Sequence, residues 1–162
     1  MDLITNRTLL DVERWKTLRS KGWDNMSLVE RQEWLGEIET TPSATRGMYT
    51  HNDLNRVEKA VESISRRLLD LGYMSSPLVV KTDWTQEDVV LKEDMNRYLG
   101  NIVTLCESVA QYPGIPTAPN VESRMTYSVA NNIEKILMDI DSLATKIADS
   151  RRFVGEIMSG EV

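Results

Sequence analysis

The chain is poor in the residue types that most often carry chemistry. Its 162 residues include one cysteine, Cys106, and one histidine, His51. A single cysteine excludes an internal disulfide and a multi-cysteine metal site. No Gly-x-Ser-x-Gly or His-Glu-x-x-His motif occurs, and the eight glycines are too scattered to form a phosphate-binding loop. These absences predict no catalytic residue, no metal site and no cofactor. We interpret His51 as an unremarkable residue at a helix start and Cys106 as a buried structural thiol.

Long apolar runs and an excess of positive charge are missing as well. No run of about 18 apolar residues exists, so no helix is expected to span a membrane. The first residues, MDLITNRT, lack the apolar core of a secretory signal, which favours a protein of intracellular origin. The net charge is −6, whereas a nucleic-acid-binding domain usually has a basic face. We therefore expect neither a membrane nor a nucleic acid as partner.

Three segments carry apolar residues at helical spacing. They run from Leu54 to Leu71, from Met95 to Val109 and from Val129 to Ile147, and the steps within each alternate between three and four residues. Heptad-like stripes of this kind need a partner face that buries them. The three stripes therefore predict an all-α fold in which residues 48–149 form a bundle of three long helices around one core.

Two shorter helices are predicted before the bundle. Thr8 can cap the first, which ends near Gly22, and Ser27 with Glu30 forms a capping box for the second. Because the link between them is short, residues 1–40 are expected to form an αα-hairpin, followed by a polar linker. The tryptophans in or beside this hairpin are Trp15, Trp23 and Trp34. They form either the small core of the hairpin or, as the alternative, an exposed anchor for a partner protein.

The connections between the bundle helices are unusually long. Residues 73–91 contain Pro77, which forbids a continuing helix, and a short β-branched stretch at 78–80 that can be extended. A connection of this length without a helix is uncommon in a compact domain. We expect it either to pack onto the bundle through Trp84 or to serve a function, with Trp84 as a contact for a partner in the second case.

The final residues, 150–162, are predicted to form an arm that follows the last helix. Arg151 and Arg152 give it a positive root, and its apolar residues include Phe153, Ile157 and Met158. These are too few for an independent fold and too many for a simple solvated tail. We expect the arm to dock on a neighbouring subunit or a second protein. The alternative is that it folds back on its own bundle.

Short motifs spread over nearly the whole chain carry a family resemblance. They are LITNRT at 3–8, KGWDNM at 21–26, YTHNDLNRV at 49–57, KTDW at 81–84, YLGNI at 98–102, NNIEKIL at 131–137 and SGE at 159–161. The chain resembles a family of small proteins encoded in prophages and temperate phages of Gram-positive bacteria. The resemblance implies a structural component of the tail or virion. It brings no catalytic residue with it.

The expected function is therefore a non-enzymatic phage structural or assembly protein that acts through protein–protein contacts. Its partners would be other phage structural proteins or further copies of itself in a homo-oligomer, with no small-molecule substrate. It would be made in the cytoplasm of the bacterial host and carried in the virion. The alternative is a small acidic binding protein that inhibits a host defence or regulatory protein, because acidic surfaces can steer towards basic partners.

Overall fold

A computed structural model of the chain describes residues 2–110, 112–113, 117–120 and 125–159, with side chains up to residue 154. Within these residues the chain forms six α-helices and one short 3-10 turn, Trp23–Asn25, and no strand. More than half of the residues are helical, which confirms the prediction of an all-α fold. The helices are α1 (Leu9–Lys21), α2 (Leu28–Leu35), α3 (Ala44–Gly47), α4 (His51–Asp70), α5 (Lys92–Ser108) and α6 (Tyr127–Ser159).

The helix ends follow the capping residues of the sequence. The Thr8 hydroxyl accepts a hydrogen bond from the backbone N–H of Asp11, and the Asp11 carboxylate accepts one from the N–H of Thr8. Ser27 and Glu30 form the same reciprocal pair at the start of α2. Gly22 follows α1 with φ of 74°, a conformation that costs glycine little because it has no Cβ. The capping predictions for both helices are therefore confirmed.

The three predicted stripes meet in one core between α4, α5 and α6. Their buried members include Val57, Ile64, Leu68, Tyr98, Ile102, Leu105, Ile133, Ile136 and Ile140. Burying one such aliphatic side chain stabilises the fold by about 1.5–3 kcal/mol, before the cost of ordering the chain is counted. The core of the protein therefore lies where the heptad-like spacing predicts it.

Helices α4 and α6 run in the same direction. Near the start of α4, Arg56 pairs with Glu134 at 2.9 Å. Farther along α4, Arg67 pairs with Asp141 at 2.6 Å. Because the residue numbers increase together on the two helices, α4 and α6 are parallel neighbours.

Helix α5 runs in this direction too. Arg97 near its start pairs with Glu58 of α4 at 2.6 Å, and Tyr112 after its end hydrogen-bonds Tyr73 after the end of α4. Each connection must therefore return along the bundle, over about 25–30 Å for helices of these lengths. That distance takes at least about eight extended residues. The parallel arrangement is the physical reason for the length of residues 73–91.

The N-terminal unit contains more than a two-helix hairpin. Helix α3 lies in the predicted linker and crosses α1 so closely that a Cβ on Gly47 would be 2.1 Å from the carbonyl oxygen of Asp11. The Asp11 carboxylate also accepts a hydrogen bond of 2.7 Å from the backbone N–H of Ser43. A small second core contains Leu18, Met26 and Ala44, with Trp15 and Trp34 packed against it. The linker segment is therefore part of this unit.

The first residues of the chain bind the bundle. Leu3 packs against the main core, and the backbone N–H of Ile4 donates to the Glu134 carboxylate. The Asn131 side chain holds both backbone groups of Arg7, at 3.1 Å from its N–H and 2.8 Å from its carbonyl. Residues 3–7 therefore form a strap across α4 and α6, which joins the N-terminal unit to the bundle.

Helix α6 does not end near Asp149, where the arm was predicted to begin. It continues through Ser159, so most of the segment 150–162 prolongs the last helix. Residues 160–162 lie outside the described part of the chain. The continuation has a simple local reason, because Arg151 to Ser159 contain one glycine and no proline to stop the helix.

Candidate functional site

A cleft of about 980 Å³ opens between the N-terminal unit and the start of the bundle. One wall comes from residues 34–48, which include the end of α2 and helix α3. The other wall comes from residues 49–56 at the start of α4 and from residues 84–90 of the long connection. The cleft thus exists only because the strap and α3 place the N-terminal unit beside the first turns of α4.

The cleft has an accessible apolar surface. Leu35 is 60% exposed and Val90 is 40% exposed, and both line it from opposite walls. Other apolar residues in its lining are Ile4, Trp34, Ile38 and Met48, together with the buried Leu54 and Trp84. An exposed aliphatic pair that faces a concave surface is typical of a binding site for apolar groups.

The charged groups of the cleft already have partners within the chain. Arg46 pairs with Glu39. Asp88 accepts hydrogen bonds from the backbone N–H of Thr85 and from Lys81, and these lower the pKa of its carboxyl group to about 2. A small charged ligand would therefore have to displace existing ion pairs. The cleft is better suited to apolar side chains than to an anion or a cation.

A buried group of four charges lies beneath the cleft. Arg7 donates to Asp53 at 2.8 Å and to Glu134 at 2.7 Å, and Arg56 donates to the same two carboxylates. Burial by itself raises the pKa of Asp53. The hydrogen bonds from Thr50 and Arg56 and the charges of the two arginines together lower it by more, so the net shift of the pKa is downward. The two arginines balance the two acids, so each of these buried side chains meets groups of opposite charge.

Two tyrosines extend this buried polar region into the core. The hydroxyls of Tyr49 and Tyr98 hydrogen-bond each other, and the guanidinium of Arg7 lies 5.6 Å from the centre of the Tyr49 ring. Burial raises the pKa of both tyrosines, and the nearby carboxylate of Glu134 raises both as well. Both hydroxyls therefore stay protonated at neutral pH. The pair therefore satisfies its own polar atoms and is not poised as a base at neutral pH.

The long connection is clamped onto α4 beside the cleft. The side chain of Asn55 bonds both backbone groups of Trp84, at 2.7 Å and 2.8 Å. Buried Glu58 accepts hydrogen bonds from the Trp84 indole, the Lys81 N–H and both terminal nitrogens of Arg97. Trp84 is only 4% exposed and belongs to the main core. The packing prediction for Trp84 is confirmed, while its candidate role as a partner contact stays a prediction.

The other candidate contact residues lie at separate places. Trp23 is 45% exposed at the tip of the N-terminal unit, with the guanidinium of Arg31 5.2 Å from its ring centre. Phe153 is 63% exposed on the last turns of α6, far along the bundle from the cleft. The side chains of Ile157 and Met158 lie outside the described part of the chain. The structure therefore does not gather the candidates into one site.

Two buried acids could not be recognised as interior residues from the sequence. Glu58 and Glu134 are 1% and 0% exposed, and each stands next to an apolar stripe position. A charged residue beside a stripe ordinarily marks its solvated flank, so only the partners reveal these two as interior anchors. The lone cysteine and the lone histidine lie in different surroundings. Cys106 is buried, and its burial raises the pKa of its thiol. His51 lines the cleft and is half-buried.

Comparisons with protein-family models, curated proteins and solved structures found no match. In the part of the chain that the structure describes, no helix is both long enough and apolar enough to cross a membrane. The same residues contain no group of three or more histidines, cysteines or acids that could hold a metal ion.

Proposed function

We propose that this protein is a non-enzymatic assembly component of a phage particle, which works by docking to other proteins. The single observation that carries the proposal is the length of α6. Helix α6 has 33 residues, against 20 in α4 and 17 in α5. A helix that extends beyond the helices it packs against exposes a surface that a neighbouring protein can cover.

The point at which α6 leaves the bundle is defined by Arg151. It donates a hydrogen bond of 2.7 Å to the carbonyl of Leu71, which caps α4, and its guanidinium lies 5.5 Å from the ring centre of Tyr73. Residues 152–159 therefore extend past the end of α4 by about 12 Å. We call these residues the α6 extension.

The α6 extension continues the apolar stripe of the helix. Val154 follows Ile147 by seven residues, and Ile157 follows it by ten, so both keep the heptad-like spacing. Inside the bundle this stripe is covered by α4 and α5, but its next member, Val154, is 57% exposed, and the adjacent Phe153 is 63% exposed. An uncovered stripe supports a docking role, because burying it on a partner releases apolar surface from water.

The resemblance to small phage and prophage proteins supports the placement in a tail or virion, with other structural proteins or copies of the chain as partners. A direct test is quantitative mass spectrometry of particles purified from a host that produces this protein. We expect the protein in particles at a fixed ratio to the major structural proteins. Its absence from particles, together with expression early after infection, would instead favour the inhibitor of a host protein.

Truncation separates docking from folding. A chain that ends at Arg152 keeps the contacts of Arg151 with Leu71 and Tyr73 but loses Phe153 and the residues after it. We expect its melting temperature to match that of the full chain, while its incorporation into particles falls. A drop in melting temperature would mean that the extension folds back on its own bundle, and unchanged incorporation would remove the docking role.

A further inference from the structure

The long connection contains a segment that repeats the strap. Residues 3–8 read Leu-Ile-Thr-Asn-Arg-Thr and residues 80–85 read Val-Lys-Thr-Asp-Trp-Thr, so an aliphatic residue, two threonines and an Asn or Asp occupy the same places. The last threonine of each segment donates its backbone N–H, at 2.7 Å, to an acid three residues later, Asp11 or Asp88. Residues 80–84, which we call the second strap, therefore resemble the first strap in sequence and in local structure.

The first strap is held by two side chains of α6. Asn131 bonds both backbone groups of Arg7, at 3.1 Å and 2.8 Å. Glu134, one turn later on the helix, accepts a hydrogen bond from the backbone N–H of Ile4, three residues before Arg7. We call this pair, an Asn with a Glu three residues after it, an Asn–Glu clamp. It binds the strap largely through the backbone of the strap.

The second strap is held by a second Asn–Glu clamp, on α4. Asn55 bonds both backbone groups of Trp84, and Glu58 accepts a hydrogen bond of 2.8 Å from the backbone N–H of Lys81. The order and the spacing are the same as in the first clamp. The first strap precedes α4 but is held by α6, whereas the second strap precedes α6 but is held by α4. The chain therefore contains two similar strap-and-helix units, each of which gives its strap to the helix of the other.

The polar contacts between the N-terminal unit and the bundle are those of the first strap. The unit packs its apolar residues into a small core of its own. Among the described residues, no hydrogen bond or ion pair connects residues 8–48 with α4, α5 or α6. The strap can therefore leave its clamp when the unit turns about residues 48–50, while the buried residues of both cores stay in place.

A vacated clamp on α6 selects another copy of the same strap. Without Arg7, the buried acids Asp53 and Glu134 share Arg56 alone, and a buried charge without compensation is costly. Asn131 also loses both of the backbone groups that it bonds. A segment that fills this clamp must bring an arginine and unpaired backbone groups, and the strap of a second copy brings both.

We propose that two copies of this chain exchange their first straps, so that residues 3–7 of each copy bind Asn131 and Glu134 of the other. The proposal rests on the proposed assembly role and names a second copy as one partner in it. The contacts needed are those already made within one chain, and the exchange of an identical element is a low-cost route to a dimer. Because the exchange is reciprocal, it closes into a dimer with two-fold symmetry.

Thiol cross-linking of mixed chains tests the exchange. Thr5 and Lys135 are exposed, and each directly follows one partner of the hydrogen bond between Ile4 and Glu134. Thr5→Cys and Lys135→Cys are made in separate chains, refolded together from urea and treated with a flexible bismaleimide, while the native Cys106 is buried. Exchange predicts a covalent heterodimer in the mixture. A heterodimer yield no higher than the dimer yield of either variant alone would overturn the proposal.

Lys59→Cys is the matched control for position. Lys59 is exposed and directly follows Glu58 of the clamp on α4. It has the place that Lys135 has after the clamp on α6, but the α4 clamp is filled by the second strap of its own chain. Thr5→Cys should therefore cross-link to Lys135→Cys and not to Lys59→Cys. Equal yields would show that the strap does not select the α6 clamp and would also refute the exchange.

A lock within one chain gives an independent readout. The chain that carries both Thr5→Cys and Lys135→Cys is cross-linked at low concentration, which fixes the strap on its own clamp. Sedimentation should find the locked chain as a monomer at concentrations at which the same chain without cross-linker forms dimers, and its melting temperature should be no lower. If the locked chain dimerises as well, or if the unlocked chain stays a monomer, strap exchange is wrong. The proposed place in a particle is decided separately, by mass spectrometry of particles.

Discussion

Replacing Arg7 with methionine tests whether the strap at residues 3–7 is an integral part of the bundle. The Arg7 side chain is 1% exposed and donates to Asp53, to Glu134 and to the carbonyl of Ile4. Methionine keeps much of the length and the apolar stem, so the core should not lose much packing. The change removes one positive charge from a balanced group and leaves two buried acids with Arg56 alone.

The expected cost follows from that imbalance. Breaking a buried ion pair by removing one partner costs about 3–5 kcal/mol, because the charge left behind is no longer compensated. Arg56 still contacts both acids and is 21% exposed, so water can reach part of the group. We therefore expect about 3 kcal/mol, the lower end of the range. For a chain of this length that corresponds to a fall in melting temperature of roughly 6–12 °C.

Urea unfolding, followed by the helical circular dichroism signal, measures this cost. The matched control is Arg66→Met on the outer face of α4, where the arginine is 69% exposed and pairs with Glu62. The control should lose no more than about 0.5 kcal/mol. A loss for Arg7→Met as small as that of the control would refute the reasoning, because it would mean that Arg7 is solvated and the strap detached.

A double variant separates the imbalance from the simple loss of contacts. Adding Glu134→Gln to Arg7→Met removes one negative charge and leaves Arg56 paired with Asp53. We expect the double variant to be more stable than the sum of the two single effects predicts, with a coupling of about 0.5–3 kcal/mol. Strict additivity would show that the four groups act independently.

Trp84→Ala should destabilise the protein by about 3–5 kcal/mol in urea unfolding, because it empties a core position, whereas exposed Trp23→Ala should change the free energy of unfolding by less than about 1 kcal/mol. Gly47→Ala should cost about 1–3 kcal/mol, since its Cβ would collide with the backbone of α1; Gly100→Ala, with open space around its Cβ, should instead stabilise α5 by up to about 1 kcal/mol. The pKa of Asp53 lies below its ordinary value of 3.8, so the unfolded chain binds more protons between the two values. Stability should therefore fall as the pH drops below about 4, and Asp53→Asn should flatten that slope; an unchanged slope would contradict the assignment.

The cleft and the α6 extension show which parts of the candidate site could be predicted from the sequence. The exposed apolar residues of the final segment were visible as a pattern without a core to join, and Phe153 is indeed exposed. Leu35 and Val90 carried no such signal, because one ends a short helix and the other lies in a connection without a period. Their place in one cleft depends on how α3 and the strap position the N-terminal unit.

The sequence by itself determined the caps of α1 and α2 and the core faces of the three bundle helices, because hydrogen bonds between near neighbours and the 3.6-residue period are local properties. It missed α3 and ended α6 near Asp149. It did not determine the direction of the helices, since an apolar stripe with alternating steps of three and four looks the same when it is read backwards. The tertiary structure decided that α4, α5 and α6 are parallel, and with that the course of the long connections. It also decided that Glu58 and Glu134 are interior anchors, because a buried acid is defined by the arginine that meets it from elsewhere in the chain.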